Sequence, residues 1–256
     1  MTKLVGEEFE RKVPLEGPAN FRDVGGYDTA DGQQRVRTGL VYRSDSLSRV
    51  TTADADVLAR IGVRTAIDLR TLDEVDRTPP ALLEQLKAAY QHVPIIDEGG
   101  AAAERPKDFV FPELHVAYAG MLDRFGANIA RALDLVATSP KPVVFYCEAG
   151  KDRTGLVAAL LLSVLGVADA DVAADYALTT GALPVIVDRV RDRRTFDPEH
   201  HVPDHALTSE EATMLTTLET LRERHGSVEV YLGVHGIDAA ALEALRTELL
   251  APRPFT

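Results

Sequence analysis

A chain of 256 residues with 45% hydrophobic and 27% charged side chains has material for a core without disulfide or metal staples, and its single cysteine excludes an intrachain disulfide. A formal net charge of −12 argues against gripping a phosphate backbone through a basic surface, so no nucleic-acid partner is expected. No apolar run approaches the roughly 20 residues of a membrane span, and Met1 to Glu8 has neither an apolar h-region nor a cleavage site; a cytoplasmic setting is expected, with signal-independent export also compatible.

In chain order, residues 9–45 read as short strands joined by turns. Gly25-Gly26 and Asp31-Gly32 mark turns, and 36–43 alternates as a strand. Thr51 or Thr52 caps a helix over 53–60 that Gly62 stops. A strand over 63–70 follows, with Asp68 and Arg70 near its C-terminal end. Thr71 and Glu74 form a capping box for a short helix, Pro79-Pro80 breaks it, and 81–89 reads as another helix. The strand 91–96 contains Pro94, which favours a sheet edge. Residues 97–112 run from glycine and alanine through charges to Phe109 and Phe111, which suits a lid or a plain surface loop equally well. A long amphipathic helix covers 114–137, with a bend expected at Gly120 or Gly126. The fourth strand, 141–146, leads through a loop to an apolar helix over 156–165. Helices are then expected over 169–179, 183–193, 209–224 (with a Thr208-Ser209 cap) and 239–250, around a polar loop at 194–207. Strands alternating with helices imply an α/β fold with a mainly parallel central sheet flanked by helices, which binds ligands beyond the C-terminal strand ends. Cys147 and Asp68 both sit at such ends.

Cys147-Glu148-Ala149-Gly150-Lys151-Asp152-Arg153-Thr154-Gly155 carries the chemistry. A lone cysteine is most often a small buried hydrophobe, but here a strand precedes it and a helix N-terminus follows. Cleaving a phosphate ester through sulfur needs a thiolate, and a free thiol, with a pKa of about 8.5, is mostly protonated at neutral pH. Backbone N–H groups of 148–153 and the helix N-terminus favour the anion and cradle phosphate. Arg153 brings a planar fork for two phosphate oxygens, Lys151 a second cation for substrates with more than one phosphate, and Thr154 a hydroxyl for the sulfur. Asp152 is the nearest candidate general acid and would have to carry a proton at the working pH. A bare Cys-x5-Arg is weak evidence. The strand before, the Gly-Lys-Asp within and the Thr-Gly after make it strong.

The nonapeptide resembles the phosphate-binding loop of cysteine-dependent protein tyrosine phosphatases, in the form typical of the bacterial tyrosine/serine protein phosphatase family. Asn20-Phe21-Arg22-Asp23-Val24-Gly25-Gly26, Tyr42-Arg43-Ser44-Asp45, Ile67-Asp68-Leu69-Arg70 and Tyr231-Leu232 are similar to that family too, so the resemblance covers nearly the whole chain. It implies a single phosphatase domain over 1–256, a helical lid around 97–125, and metal-free, cofactor-free hydrolysis through a phosphocysteine at Cys147. Arg153 would be the clamp and Asp152 the acid, and the substrates would be phosphorylated proteins or phosphoinositides. The alternatives are a phosphoinositide or small-molecule phosphatase and a non-catalytic phosphate-binding module. Two residues depart from the family pattern. Tyr146 stands where the family has histidine, so a slower enzyme or an alkaline-shifted optimum is expected. Glu148 puts a carboxylate beside the nucleophile.

Other candidates have plainer readings. Asp68 would position substrate or Arg153, or, with the better odds, pair with Arg43, Arg64 or Arg70. Arg22-Asp23 and Arg43-Ser44-Asp45 are expected to tie the N-terminal strands to the body. His200, His201 and His205 lack the spacing of a metal site and read as a solvated loop. Tyr118, Met121 and Phe125 share a helix face, by default core.

Overall fold

The computed structural model describes residues 11–80, 86–96, 112–191 and 207–253. Chain order is β1 (Arg22–Asp23), β2 (Gln34–Val36), β3 (Val41–Ser44), α1 (Thr52–Ile61), β4 (Thr65–Asp68), α2 (Leu72–Arg77), β5 (Ala89–His92), α3 (Leu114–Thr138), β6 (Val143–Tyr146), α4 (Asp152–Val164), α5 (Asp169–Ala177), α6 (Leu183–Arg191), α7 (Glu211–His225), α8 (Val228–Val234), α9 (Ala239–Leu249) and β7 (Leu250–Pro252). The main sheet runs β1-β3-β6-β4-β5, with β3, β6, β4 and β5 parallel and β1 antiparallel at one edge. It is the expected mainly parallel sheet flanked by helices.

Period-two alternation divides the core between the two faces of this sheet. Val143, Phe145 and Cys147 lie with Ile67, Leu69 and Val41 in the larger cluster, packed against α3, α4, α5, α7 and α9. Val144 and Tyr146 lie with Ala66, Tyr42 and Phe21 in the smaller one, against Leu58 of α1. Cys147 and its neighbour Tyr146 therefore belong to opposite faces. Helix α4 is buried on nearly every side, from Arg153 to Val164, as a helix apolar all round must be.

Local signals placed several ends correctly. Thr51 caps α1 in a capping box with Asp54, and Gly62 ends it at φ 78°. Thr71 and Glu74 form the box that starts α2. Helix α3 is interrupted at Phe125, next to Gly126, where a Cβ would lie 2.4 Å from the His235 ring.

Elsewhere the structure corrects the sequence reading. The strand expected over 36–43 is two strands, because Gly39 turns at φ 81° and its N–H is held by Asp23 Oδ2 at 2.5 Å. β2 instead pairs with β7, a strand too short to be legible in sequence. The helix expected over 81–89 falls partly outside the described residues, and its end does not hold, since Ala89 opens β5 against Thr65. Thr208-Ser209 does not cap α7. Glu210 is the N-cap without a side-chain bond, and Ser209 Oγ instead meets Thr180 Oγ1 at 2.8 Å. Residues 97–111 of the lid candidate, and His200, His201 and His205, lie outside the described residues.

Candidate active site

Cys147 follows directly on β6 and is buried. The helix after it begins four residues sooner than the apolar run suggests, at Asp152, so Arg153 and Thr154 sit in the first turn of α4. No side chain caps that turn, which leaves its N–H groups and the positive end of the helix dipole facing the loop.

The loop is held from behind. Gly150 adopts φ 65°, and a Cβ there would come within 2.6 Å of Asp45 N and Ser44 O, so only glycine lets the loop rest on the end of β3. Its carbonyl accepts from Arg43 Nη2 at 2.9 Å and Asn20 Nδ2 at 3.2 Å. Asp45 receives the N–H groups of Ala19 and Asn20, and Ser46 N–H donates to the Glu148 carbonyl. On α5, Asp175 takes Arg43 Nη1 at 2.5 Å and Arg22 Nε at 3.4 Å. Burial alone would raise the Asp175 pKa, but Arg22, Arg43 and Arg11 outweigh it and hold the carboxyl far below its usual range. The Asn-Phe-Arg-Asp and Arg-Ser-Asp segments are thus ion-pair and hydrogen-bond anchors, as expected, and what they anchor is the loop.

Arg153 forms a two-pronged pair with Glu74 of α2, Nη1 to Oε2 at 2.5 Å and Nη2 to Oε1 at 2.8 Å. Burial would lower the Arg153 pKa. The Glu74 bonds, with the neighbouring acidic groups, overcome this and keep the guanidinium charged. Glu74 itself is brought to about 2: burial pushes its carboxyl up, and the Arg153 and Thr71 bonds pull it down further. Nothing in the sequence marks Glu74 beyond its place in a capping box. Its contact with Arg153 spans 79 residues.

Asp152 meets an unanticipated partner. Its Oδ1 accepts from Tyr118 Oη at 2.6 Å and lies 3.4 Å from Lys151 Nζ, while Tyr118 Oη is 2.7 Å from Tyr176 Oη. Tyr118 is core, as its helix spacing suggests, and also touches the loop. Lys151 is buried and directs its charge at Asp152. Thr154 Oγ1 is buried and has no hydrogen-bond partner among the described residues.

Asp68 ends β4 in register with Tyr146 at the end of β6. It lies beside Tyr146 on the other face, bound by Arg70 Nη2 at 2.7 Å, Tyr146 Oη at 2.9 Å and Tyr90 Oη at 3.1 Å. The ion-pair reading, with Arg70 as partner, is the one realised. Glu148 points the same way, 3.9 Å from Arg70 Nη1, so its charge is met by a cation behind the loop. Among the described residues there is no cluster of His, Cys, Asp and Glu able to hold a metal, and no single helix is long and apolar enough to cross a membrane.

The arrangement offers a thiol at a strand end, a helix N-terminus, a braced guanidinium and an anchored carboxyl. Residues 13–251 match the tyrosine phosphatase family. The triple specificity protein phosphatase PtpB of Mycobacterium tuberculosis is 28% identical over 92% of this chain and 98% of its own length. A tyrosine-protein phosphatase of Nostoc commune is 29% identical over 81% of this chain and 73% of its own. Among solved structures, P. aeruginosa TpbA is 16% identical and covers 84% of this chain and 89% of its own; its TM-score of 0.29 marks a loose match.

Proposed function

The chain belongs to the tyrosine phosphatase family, cysteine-dependent phosphomonoester hydrolases, and on that premise we propose how its residues divide the reaction on phosphotyrosine-type substrates. The thiolate of Cys147 attacks phosphorus as the ester P–O bond breaks. Asp152 passes its proton to the departing oxygen, and a phosphocysteine remains. Water then attacks that phosphorus and gives its proton to the Asp152 carboxylate. The S–P bond breaks, inorganic phosphate leaves, and the Thr154 hydroxyl donates to the returning sulfur anion. A buried hydroxyl without a partner is costly, which suits one that bonds mainly to that anion. Backbone N–H groups of 148–153 and the Arg153 fork hold the equatorial phosphate oxygens through both steps.

The observation that carries this reading is the braced Arg153 beside Cys147 at the uncapped start of α4. A second reading, breadth toward phosphoinositides or other small phosphorylated molecules, rests on the similarity to a relative named for triple specificity. The domain is proposed to span the whole chain.

Phosphate release from phosphopeptides, phosphoinositides and nucleotides, measured for wild type, Cys147→Ser and Asp152→Asn, tests the assignment. Wild type is expected to turn over phosphotyrosine peptides, and Cys147→Ser to bind without turnover. Binding without turnover by wild type would instead identify a phosphate-binding module.

A further inference from the structure

We propose that Tyr118 and Tyr176 are positioning residues for the general acid, joined in a hydrogen-bond chain that ends on one oxygen of the Asp152 carboxyl. The proposal rests on the reading of Asp152 as that acid. Tyr118 has one hydroxyl proton. Donating it to Asp152 Oδ1 leaves its own oxygen to accept, and the oxygen 2.7 Å away belongs to Tyr176. The direction is therefore Tyr176 to Tyr118 to Asp152.

This direction has a chemical consequence. Oδ1 faces the Tyr118 hydroxyl and the Lys151 ammonium, which can only donate, so a proton on the carboxyl is favoured on Oδ2. The chain thus fixes the carboxyl's rotation and selects the oxygen that delivers the proton. The Asp152 side chain is 36% exposed, whereas both tyrosines are about 1% exposed: a fixed, buried end holds an acid that reaches solvent. Burial first, then the nearby Asp152 charge, raises both tyrosine pKa values above their ordinary range, so both remain donors at any working pH.

The scaffold is built to hold this chain. The two rings meet edge to face at 6.1 Å. Gly155 lets α4 come so close to Tyr176 that a Cβ there would lie 3.0 Å from its ring. Tyr176 adjoins Asp175, which grips Arg43 and through it the Gly150 carbonyl. One turn of α5 thus supports the loop at its middle and its acid at its end.

The test compares phenyl phosphate, whose leaving oxygen needs a proton, with p-nitrophenyl phosphate, whose leaving group departs readily without one. Tyr118→Phe, which keeps the ring, is expected to lower kcat on phenyl phosphate about tenfold and on p-nitrophenyl phosphate less than about twofold, with KM unchanged. Tyr176→Phe should give a smaller selective loss, about threefold. In an Asp152→Asn background neither change should add to the selectivity. Equal losses on both substrates, no loss on either, or a further selective loss in that background would overturn the proposal. If Tyr118→Phe does not fold, Tyr176→Phe decides by the same comparison. Asp152→Asn alone separates the two claims. Without a selective loss in that variant, the reading of Asp152 fails; with one there and none in the tyrosine variants, only the positioning proposal fails.

Discussion

Glu74 holds both terminal nitrogens of Arg153 and leaves Nε outside the pair, so it sets where the guanidinium lies when phosphate arrives. Misplacing a phosphate donor by about 1 Å can cost about 100-fold in rate. Glu74→Gln should therefore lower kcat/KM roughly 10- to 100-fold, read by steady-state kinetics on a phosphotyrosine peptide. The same pair carries a pH signature. The Glu74 carboxyl goes from an ordinary 4.5 to about 2 on folding, so its stabilisation is fully present above about pH 4.5 and is lost as pH falls through about 2. The stability gap between wild type and Glu74→Gln, from urea unfolding, should shrink across that window; a constant gap would refute it. Tyr146 poses a separate question. Its hydroxyl is spent on Asp68, and it offers no cation to favour a thiolate. In Tyr146→His, an imidazole next to Asp68 would hold a proton. Iodoacetate should then alkylate Cys147 faster than in wild type at neutral pH, and equal or slower alkylation would refute this role.

Among elements, α5 is the brace of the site. Its Asp175 faces Arg22 and Arg43, both buried, with Arg11 at 3.9 Å. Neutralising the shared anion leaves two buried guanidinium groups facing each other, and breaking such a pair typically costs about 3–5 kcal/mol. Asp175→Asn is expected to lose about that much in urea denaturation and to lower activity at every leaving group alike, because Arg43 then loosens its hold on Gly150. A loss below about 1 kcal/mol would place Asp175 among ordinary surface pairs. Burial, followed by the neighbouring Arg43, lowers the Arg22 pKa to about 10, against the pull of Asp175. The cluster therefore keeps a net positive charge, two buried guanidinium groups to one carboxylate, and Asp175 offsets only part of what burial and Arg43 cost Arg22.

Across the whole molecule, β2 and β7 bring the N-terminal region and the C-terminal segment together, with Arg35 opposite Ala251 and Val36 opposite Leu250. Arg37 N–H also donates to the Leu249 carbonyl. Leu250 and Val36 are buried there. A chain ending at Leu249 should lose about 2 kcal/mol from the exposed Val36 and missing Leu250, read as a Tm lower by roughly 4–8 °C. Its activity should persist, since Asn20, Arg43, Glu74 and Tyr118, which hold the loop, lie outside that sheet; an unchanged Tm would mean the pairing adds no stability.

Local features are legible in the order of residues alone. The strand, glycine-bearing loop and apolar helix around Cys147, the capping boxes at Thr51 and Thr71 and the stop at Gly62 are all written within a few residues of where they act, and the alternation of strands with helices implied the parallel sheet. The sequence also carried the family resemblance. Tertiary structure decided the partners. Glu74 reads as a cap and Tyr118 as core until folding brings them to Arg153 and Asp152, across 79 and 34 residues. The alternation of β6 gave Cys147 and Tyr146 opposite faces, and folding brought Asp68 and Glu148 to Arg70. The physical reason is range: hydrogen bonds within a turn leave a pattern in neighbouring residues, whereas a charge met across the fold leaves none.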